Sequence, residues 1–177
     1  LGIILNDINR AYSGEKLEVE EYTSYDLALD NRDALASDAY KNAENYYKSV
    51  FENAGGSINF YPDKSGAAPT AEMYHRETSE FSVQDVKAFC KKHGITENVF
   101  FISAFGITLG KYNFRKDAVF TTIYHGRNDS RLSDTVGMLV KTLPVYCDFS
   151  GSTADCLNAV QQQLINSMNN DIYPFSQ

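Results

Sequence analysis

The sequence predicts an α/β domain, layered in the α+β manner. Two observations carry this prediction. Several stretches place apolar residues at helical spacing, each bounded by a capping residue or a glycine stop. Between them, Val119, Thr121 and Ile123 alternate with Phe120, Thr122 and Tyr124, which is the period of two of a strand. The expected order is helix, helix, strand, helix, helix, strand, strand, helix, a pattern that builds a layered fold.

Taken in order, Leu1, Ile3, Ile4, Leu5 and Ile8 give a helix over residues 1 to about 12, ended by Ser13-Gly14-Glu15. No residue ahead of Leu1 caps it and there is no initiator Met, while Tyr173-Pro174-Phe175-Ser176-Gln177 stops just after a helix. Both ends lead us to expect a piece of a longer polypeptide. After an acidic connector, residues 23 to 53 read as helical with a break near Asp30 to Asp33, and Tyr25, Leu29, Leu35, Ala39, Tyr46, Val50 and Phe51 form its apolar face. Ala54-Gly55-Gly56-Ser57 is the clearest internal boundary.

Residues 59 to 68 read as a loop and 70 to 79 as a strand. Ser82, with Asp85 three residues later, caps a helix whose buried stripe is Val83, Val86, Phe89 and Cys90. Lys91, Lys92 and His93 suit its C-terminal dipole, and Gly94 closes it. Thr96 caps the next helix, 97 to 112, which is apolar almost all round and is expected to be buried on most sides. The strand ending at Tyr124 follows, then a polar loop, His125 to Asp129. A second strand is expected from Gly137, with Met138, Val140 and Thr142 on one face and Leu139, Lys141 and Leu143 on the other. Pro144 limits its pairing. Ser152 or Thr153 starts a last helix that runs to about Asn169.

Composition narrows the function classes. Hydrophobic residues are 43% and charged residues 22%, ordinary for a soluble globular chain. A net charge of −7 argues against nucleic acid as a partner. No apolar run is long enough to span a bilayer, and Leu1 to Leu5 is too short for a signal peptide, so no membrane role is expected. Three cysteines, Cys90, Cys147 and Cys156, form no C-x-x-C pair and read as reduced thiols in or near the core of a cytoplasmic protein.

No nucleophile elbow, phosphate loop, dinucleotide fingerprint or metal box occurs, so no metal and no directly bound cofactor are expected. His93 reads as a helix-end residue and His75 as a solvated or satisfied imidazole. His125 ends a strand ahead of Gly126-Arg127 and is a weak candidate for a general base. Arg127 either holds its loop through Asp129 or Asp134 or meets an anion. Lys141, on an otherwise apolar face, either snorkels to solvent or faces a substrate channel.

Three stretches, in order along the chain, carry a family resemblance, together with a short element just ahead of the second. Val136-Gly137-Met138-Leu139-Val140-Lys141-Thr142-Leu143-Pro144 resembles the V/I-G-x-F-V-N-T-L motif of condensation domains from nonribosomal peptide synthetases, with Lys141 for Asn and Leu139 for Phe. His125-Gly126-Arg127 resembles the short G-R element that precedes it. Tyr22-Thr23-Ser24-Tyr25-Asp26 loosely resembles Y-x-D-F/Y-A-x-W, and Asn170-Asp171-Ile172-Tyr173-Pro174-Phe175-Ser176 resembles H-Q-D-Y-P-F-E.

The resemblance implies a chloramphenicol-acetyltransferase-like lobe, partial, with N-terminal helices from the preceding lobe. Residues 1–55 would be the helical tail of the first lobe and 56–177 part of the second. It implies amide formation between substrates held as thioesters on the phosphopantetheine arms of peptidyl carrier protein domains. The family's H-H-x-x-x-D-G signature is absent and would align just before Leu1. The chain alone is therefore expected to be inactive, to lack the first condensation lobe as its partner, and to self-associate. The tunnel or motif residues carried over are Tyr124, Gly126, Arg127, Gly137, Val140, Lys141 and Thr142. A non-catalytic carrier-docking module, another acyltransferase of the same superfamily and an unrelated α/β domain stay open as alternatives.

Overall fold

A computed structural model describes residues 1–52, 54, 56, 73, 75, 77–78 and 80–174. The elements are α1 (Gly2–Tyr12), α2 (Ser24–Ala34), α3 (Asp38–Phe51), α4 (Val83–His93), α5 (Glu97–Tyr112), β1 (Asp117–Tyr124), a 3-10 turn (Ser130–Leu132), β2 (Lys141–Asp148) and α6 (Thr153–Asn169). β1 and β2 pair in a two-stranded sheet. The Phe149 N–H donates to the Lys116 carbonyl at 2.9 Å, tying the residue after β2 to the residue before β1, as in an antiparallel pair. The chain divides into two compact units, the first of Leu1–Lys48, Ile123–Leu143 and Ser167–Gln177, the second of Ser49–Thr122 and Pro144–Asn166.

The second unit holds an apolar core. Val86 and Cys90 of α4, Val99 and Ile102 of α5, Val145 and Cys147 of β2, and Leu157, Val160 and Leu164 of α6 pack together with Ile95. The sequence stripes of these elements point where expected at Val86 and Cys90, with two corrections: Val83, expected in the buried stripe of α4, is its first residue and is 64% exposed, and α5 also departs. α5 is not covered on most sides: Phe101 is 57% exposed and Phe105 48%. Its buried side is Val99, Ile102, Ser103, Gly106, Leu109 and Gly110, a face that includes residues too small to register in an apolar count. Gly106 and Gly110 permit close approach, since a Cβ on Gly106 would lie 2.8 Å from the Cys147 Cβ, and one on Gly110 2.9 Å from the Asp117 carbonyl oxygen.

The first unit is built from α1, α2, most of α3, the loop after β1 and the end of α6. α1 has no side-chain N-cap and buries no residue fully; Leu5, Ile8 and Tyr12 are more than half exposed. The predicted long helix breaks at residues 35–37, not at Asp30 to Asp33. Ser37 decides this, because its Oγ accepts from the Tyr40 N–H at 3.1 Å and starts a new helix. The buried positions of α3 are Ala43 and Tyr47, whereas Tyr25 and Leu35 are exposed. Tyr40 and Tyr47 pack on Tyr173, with centroids 5.1 and 6.0 Å apart. The Tyr47 hydroxyl donates to the Ser167 carbonyl at 3.1 Å, and burial pushes its pKa up to about 12.

The second strand also starts later than the alternation suggests, at Lys141, and it runs through Pro144. Among the described residues each strand has a partner strand on one edge only, so a residue lacking an N–H is accommodated on the other. The predicted loop 59–68 lies outside the described residues, as do most of the predicted strand 70–79 and residues 175–177.

Three helices begin with reciprocal caps: Thr23 with Asp26, Ser82 with Asp85, and Ser152 with Asp155. Hydrogen bonds from the cap residue hold each carboxylate below the usual aspartate range. A depressed folded-state pKa contributes stability that is present above the unfolded value and lost as pH falls through the folded one. Helix content should therefore hold down to about pH 4 and fall only below it. Ser82→Ala removes the hydroxyl but keeps the backbone N–H, so it should raise the Asp85 titration, followed by NMR, only part of the way to the ordinary range; an ordinary Asp85 in the unsubstituted chain would refute the account.

Candidate functional site

The residues that the sequence singles out lie mostly between the end of β1 and the start of β2, within the first unit. After Tyr124 the chain turns through Gly126 at φ 68°, a left-handed conformation that suits glycine. The turn is also crowded. A Cβ on Gly126 would overlap the Leu139 carbonyl oxygen and sit 2.9 Å from its carbon. Only glycine lets the H-G-R turn lie directly beneath residues 138–140.

Arg127 is held differently from either pairing expected of it. Its guanidinium donates to the carbonyls of Leu132, Ser133 (3.5 Å) and Thr135 (3.1 Å), not to Asp129 or Asp134. Asp129 instead pairs with Arg131, which holds that carboxyl well below its usual range and raises Arg131 in turn. Arg131 also reaches Asp30 at 3.2 Å and stacks 4.4 Å over the Tyr22 ring, whose hydroxyl donates to Asp30 at 2.7 Å.

The loop that Arg127 folds is tied to the first motif. The buried Thr135 hydroxyl donates to the Tyr22 carbonyl at 2.6 Å, and the Val136 N–H donates to Glu20 Oε1 at 2.8 Å. A Cβ on Gly137 would stand 3.0 Å from the Ser24 Cβ, so the glycine of the second motif packs against the first turn of α2. The 138–143 alternation is real in burial: Met138, Val140 and Thr142 are exposed, while Leu139 and Leu143 are buried.

Lys141 neither reaches freely into solvent nor stands alone in a channel. Its ammonium meets the Asp171 carbonyl at 3.0 Å and the Asp171 carboxylate at 3.1 Å, both side chains being partly buried. Lys141 and Asp171 line a cavity of about 480 Å³ together with Tyr22, Asp30, Gly126 and Arg131. A smaller cavity, about 260 Å³, lies between α1 (Leu1, Ile3, Ile4) and Arg127, Thr135 and Gly137.

Tyr124 is buried, 4% exposed, and its hydroxyl has no partner among the described residues. Burial, and then the Asp171 charge, raise its pKa. His125 is exposed beside it, rings 4.7 Å apart, and its Nδ1 accepts the Arg127 N–H at 3.0 Å. That lone pair is thereby taken up by the backbone of its own turn. Asp30 and Thr135 belong to no motif, and Asp171 stands in the sequence only as part of the last one, because their roles arise from contacts far along the chain.

Among the described residues no group of three or more His, Cys, Asp or Glu side chains is placed to hold a metal ion, and no helix is long and apolar enough to cross a membrane.

An α/β lobe whose sequence motifs assemble around a strand end defines a class, and comparison with known proteins supplies the family. The condensation-domain family model matches residues 1–177, and the chain belongs to that family. It is 27% identical over 176 residues to the nonribosomal peptide synthetase sidC of Arthroderma benhamiae, covering 98% of this chain and 3% of that protein. It is 28% identical over 184 residues to bacitracin synthase 1 of Bacillus licheniformis, covering 98% of this chain and 3% of that protein. The chain thus spans a small part of the length of the curated relatives it matches. Among solved structures, it resembles the first condensation domain of the calcium-dependent antibiotic synthetase, bound there to a substrate analogue, with TM-score 0.72 and 15% identity over 94% of this chain and 38% of that one. It resembles the condensation domain of the Monacolin K polyketide synthase MokA with TM-score 0.68 and 18% identity over 94% and 41%. The fold is that of condensation domains, chloramphenicol-acetyltransferase-like.

Proposed function

We propose that this chain is part of a nonribosomal peptide synthetase condensation domain, and that the parent domain joins a donor acyl group to an acceptor amine. One observation carries the reading. Tyr22, Gly126, Lys141 and Asp171, from four separate motif stretches, line a single cavity of the first unit. Unrelated short matches have no reason to converge in this way.

Residues 1–55 belong in this reading to the tail of the first lobe and 56–177 to the second. The partners are peptidyl carrier protein domains, whose phosphopantetheine arms bear both substrates as thioesters; the chain itself binds no cofactor. The parent works in the cytoplasm. Tyr124, Gly126, Arg127, Gly137, Val140, Lys141 and Thr142 contribute to one wall of the substrate tunnel or to the backbone behind it. Amide formation needs a nucleophilic amine, a polarised thioester carbonyl and a positioned base or electrostatic partner. No H-H-x-x-x-D-G occurs within residues 1–177, and the Nδ1 lone pair of His125 is occupied. The 177 residues alone therefore lack the paired histidines of the family's signature.

Purified chain supplied with carrier-bound donor and acceptor should give no amide above a no-protein control. Joined to an upstream lobe carrying H-H-x-x-x-D-G, it should give product. Product from the chain alone would overturn its inactivity, and no product from the joined lobes would overturn the condensation reading.

A further inference from the structure

The second unit contains a pair of thiols that the proposed function does not use. Cys147 on β2 and Cys156 near the start of α6 bring their sulfur atoms to 3.3 Å. The two residues are 0% and 2% exposed. Cys90 lies in the same core and makes no sulfur–sulfur contact among the described residues. The packing behind Cys147 is tight, since a Cβ on Gly106 would lie 2.8 Å from its Cβ and 2.9 Å from its sulfur. α5 therefore closes that side of the Cys147 thiol, and its sulfur lies against Cys156.

We propose that Cys147 and Cys156 are a modification site, a dithiol that hydrogen peroxide converts to an intramolecular disulfide pinning β2 to α6. The sulfurs must close to about 2.05 Å, a movement of roughly 1 Å shared between two side chains. Cys156 is the attacking sulfur. It sits near the N-terminus of α6, whose dipole favours a thiolate, and its sulfur is 3.3 Å from that of Cys147, close enough for either thiol to donate to the other. That contact lowers the Cys156 pKa, whereas the same contact and burial raise that of Cys147.

Both sulfurs are closed off from solvent in the packed core, so the reaction proceeds through local opening of the second unit, which admits the peroxide; the Cys156 thiolate then attacks one peroxide oxygen. An S–O bond forms and the O–O bond breaks; the departing hydroxide takes up the proton lost by Cys156 and becomes water. Cys147 then attacks the sulfur of the Cys156 sulfenic acid. The S–S bond forms, the S–O bond breaks, and the leaving hydroxide takes the Cys147 proton to give a second water. The two thiols lose two electrons and the peroxide gains them.

The test treats the full 177-residue chain with hydrogen peroxide, then counts thiols after unfolding and maps peptides by mass spectrometry without reduction. Free thiols should fall from three to one, with a single cross-linked peptide pair joining Cys147 to Cys156 that dithiothreitol reverses. The oxidised chain should melt roughly 5 °C or more above the reduced one, as expected of a short closed loop. Cys90→Ser should leave the cross-link intact, Cys156→Ser should abolish it, and Cys147→Ser should leave a Cys156 sulfenic acid that dimedone traps. A cross-link through Cys90 overturns the proposal. So do separate sulfinic acids without a cross-link, or intact thiols under peroxide that oxidises the urea-unfolded chain.

Discussion

Gly126→Ala is expected to destabilise the chain by about 2–5 kcal/mol, a large part of the stability of an ordinary domain. Two costs add. Alanine at φ 68° pays for a left-handed backbone, about 1–2 kcal/mol. Its Cβ would also overlap the Leu139 carbonyl oxygen, and that neighbour is backbone, with no rotamer to yield. Relieving such overlap costs about 1–3 kcal/mol more. Gly14 separates the two costs. It has φ 80° with nothing within 4 Å of a Cβ, so Gly14→Ala should show the backbone term alone. Urea unfolding of both variants measures the difference. Equal losses would mean that the crowding under residues 138–140 is absent in solution.

The same region shows what the sequence could and could not reveal. Ser82 with Asp85, Thr96 and Gly94 bound α4 and α5 where the caps predict, because capping is a local bargain between a side chain and amides three residues away. The start of α3 is equally local, yet Ser37 stands amid other polar residues and its capping bond appears only in the structure. The alternation of 138–143 predicted which side chains are buried, but hydrogen bonding in a strand also needs a facing partner, and β1 ends at Tyr124. The links that build the candidate site, Thr135 to Tyr22, Val136 to Glu20 and Lys141 to Asp171, join residues that are not neighbours in sequence. Periodicity carries no signal for such pairs. The motif resemblance names the stretches, and that they meet appears only in the structure. Arg127 was hardest to read, because its partners are carbonyls, which every residue has.

Those carbonyls make Arg127 the second residue where a large effect is expected. Arg127→Leu should cost about 2–4 kcal/mol, since hydrogen bonds to a charged group are worth about 1.5–3 kcal/mol and the released carbonyls lose their donor. The loss should be local as well as global. With Leu132, Ser133 and Thr135 freed, the Thr135 bond to Tyr22 and the Val136 bond to Glu20 lose their support, so amide exchange at Val136 and Gly137 should accelerate. Arg127→Lys distinguishes this role from simple attraction of an anion. A lysine keeps the charge but offers one compact ammonium in place of a planar fork, and it cannot span three carbonyls at once. If the fork organises the loop, lysine should recover less than half of the lost stability and leave exchange at Val136 fast. If Arg127 served only as a positive charge, lysine would restore both. In the joined two-lobe protein, the organising role further requires that Arg127→Lys lose amide formation in step with the loosening of residues 132–137.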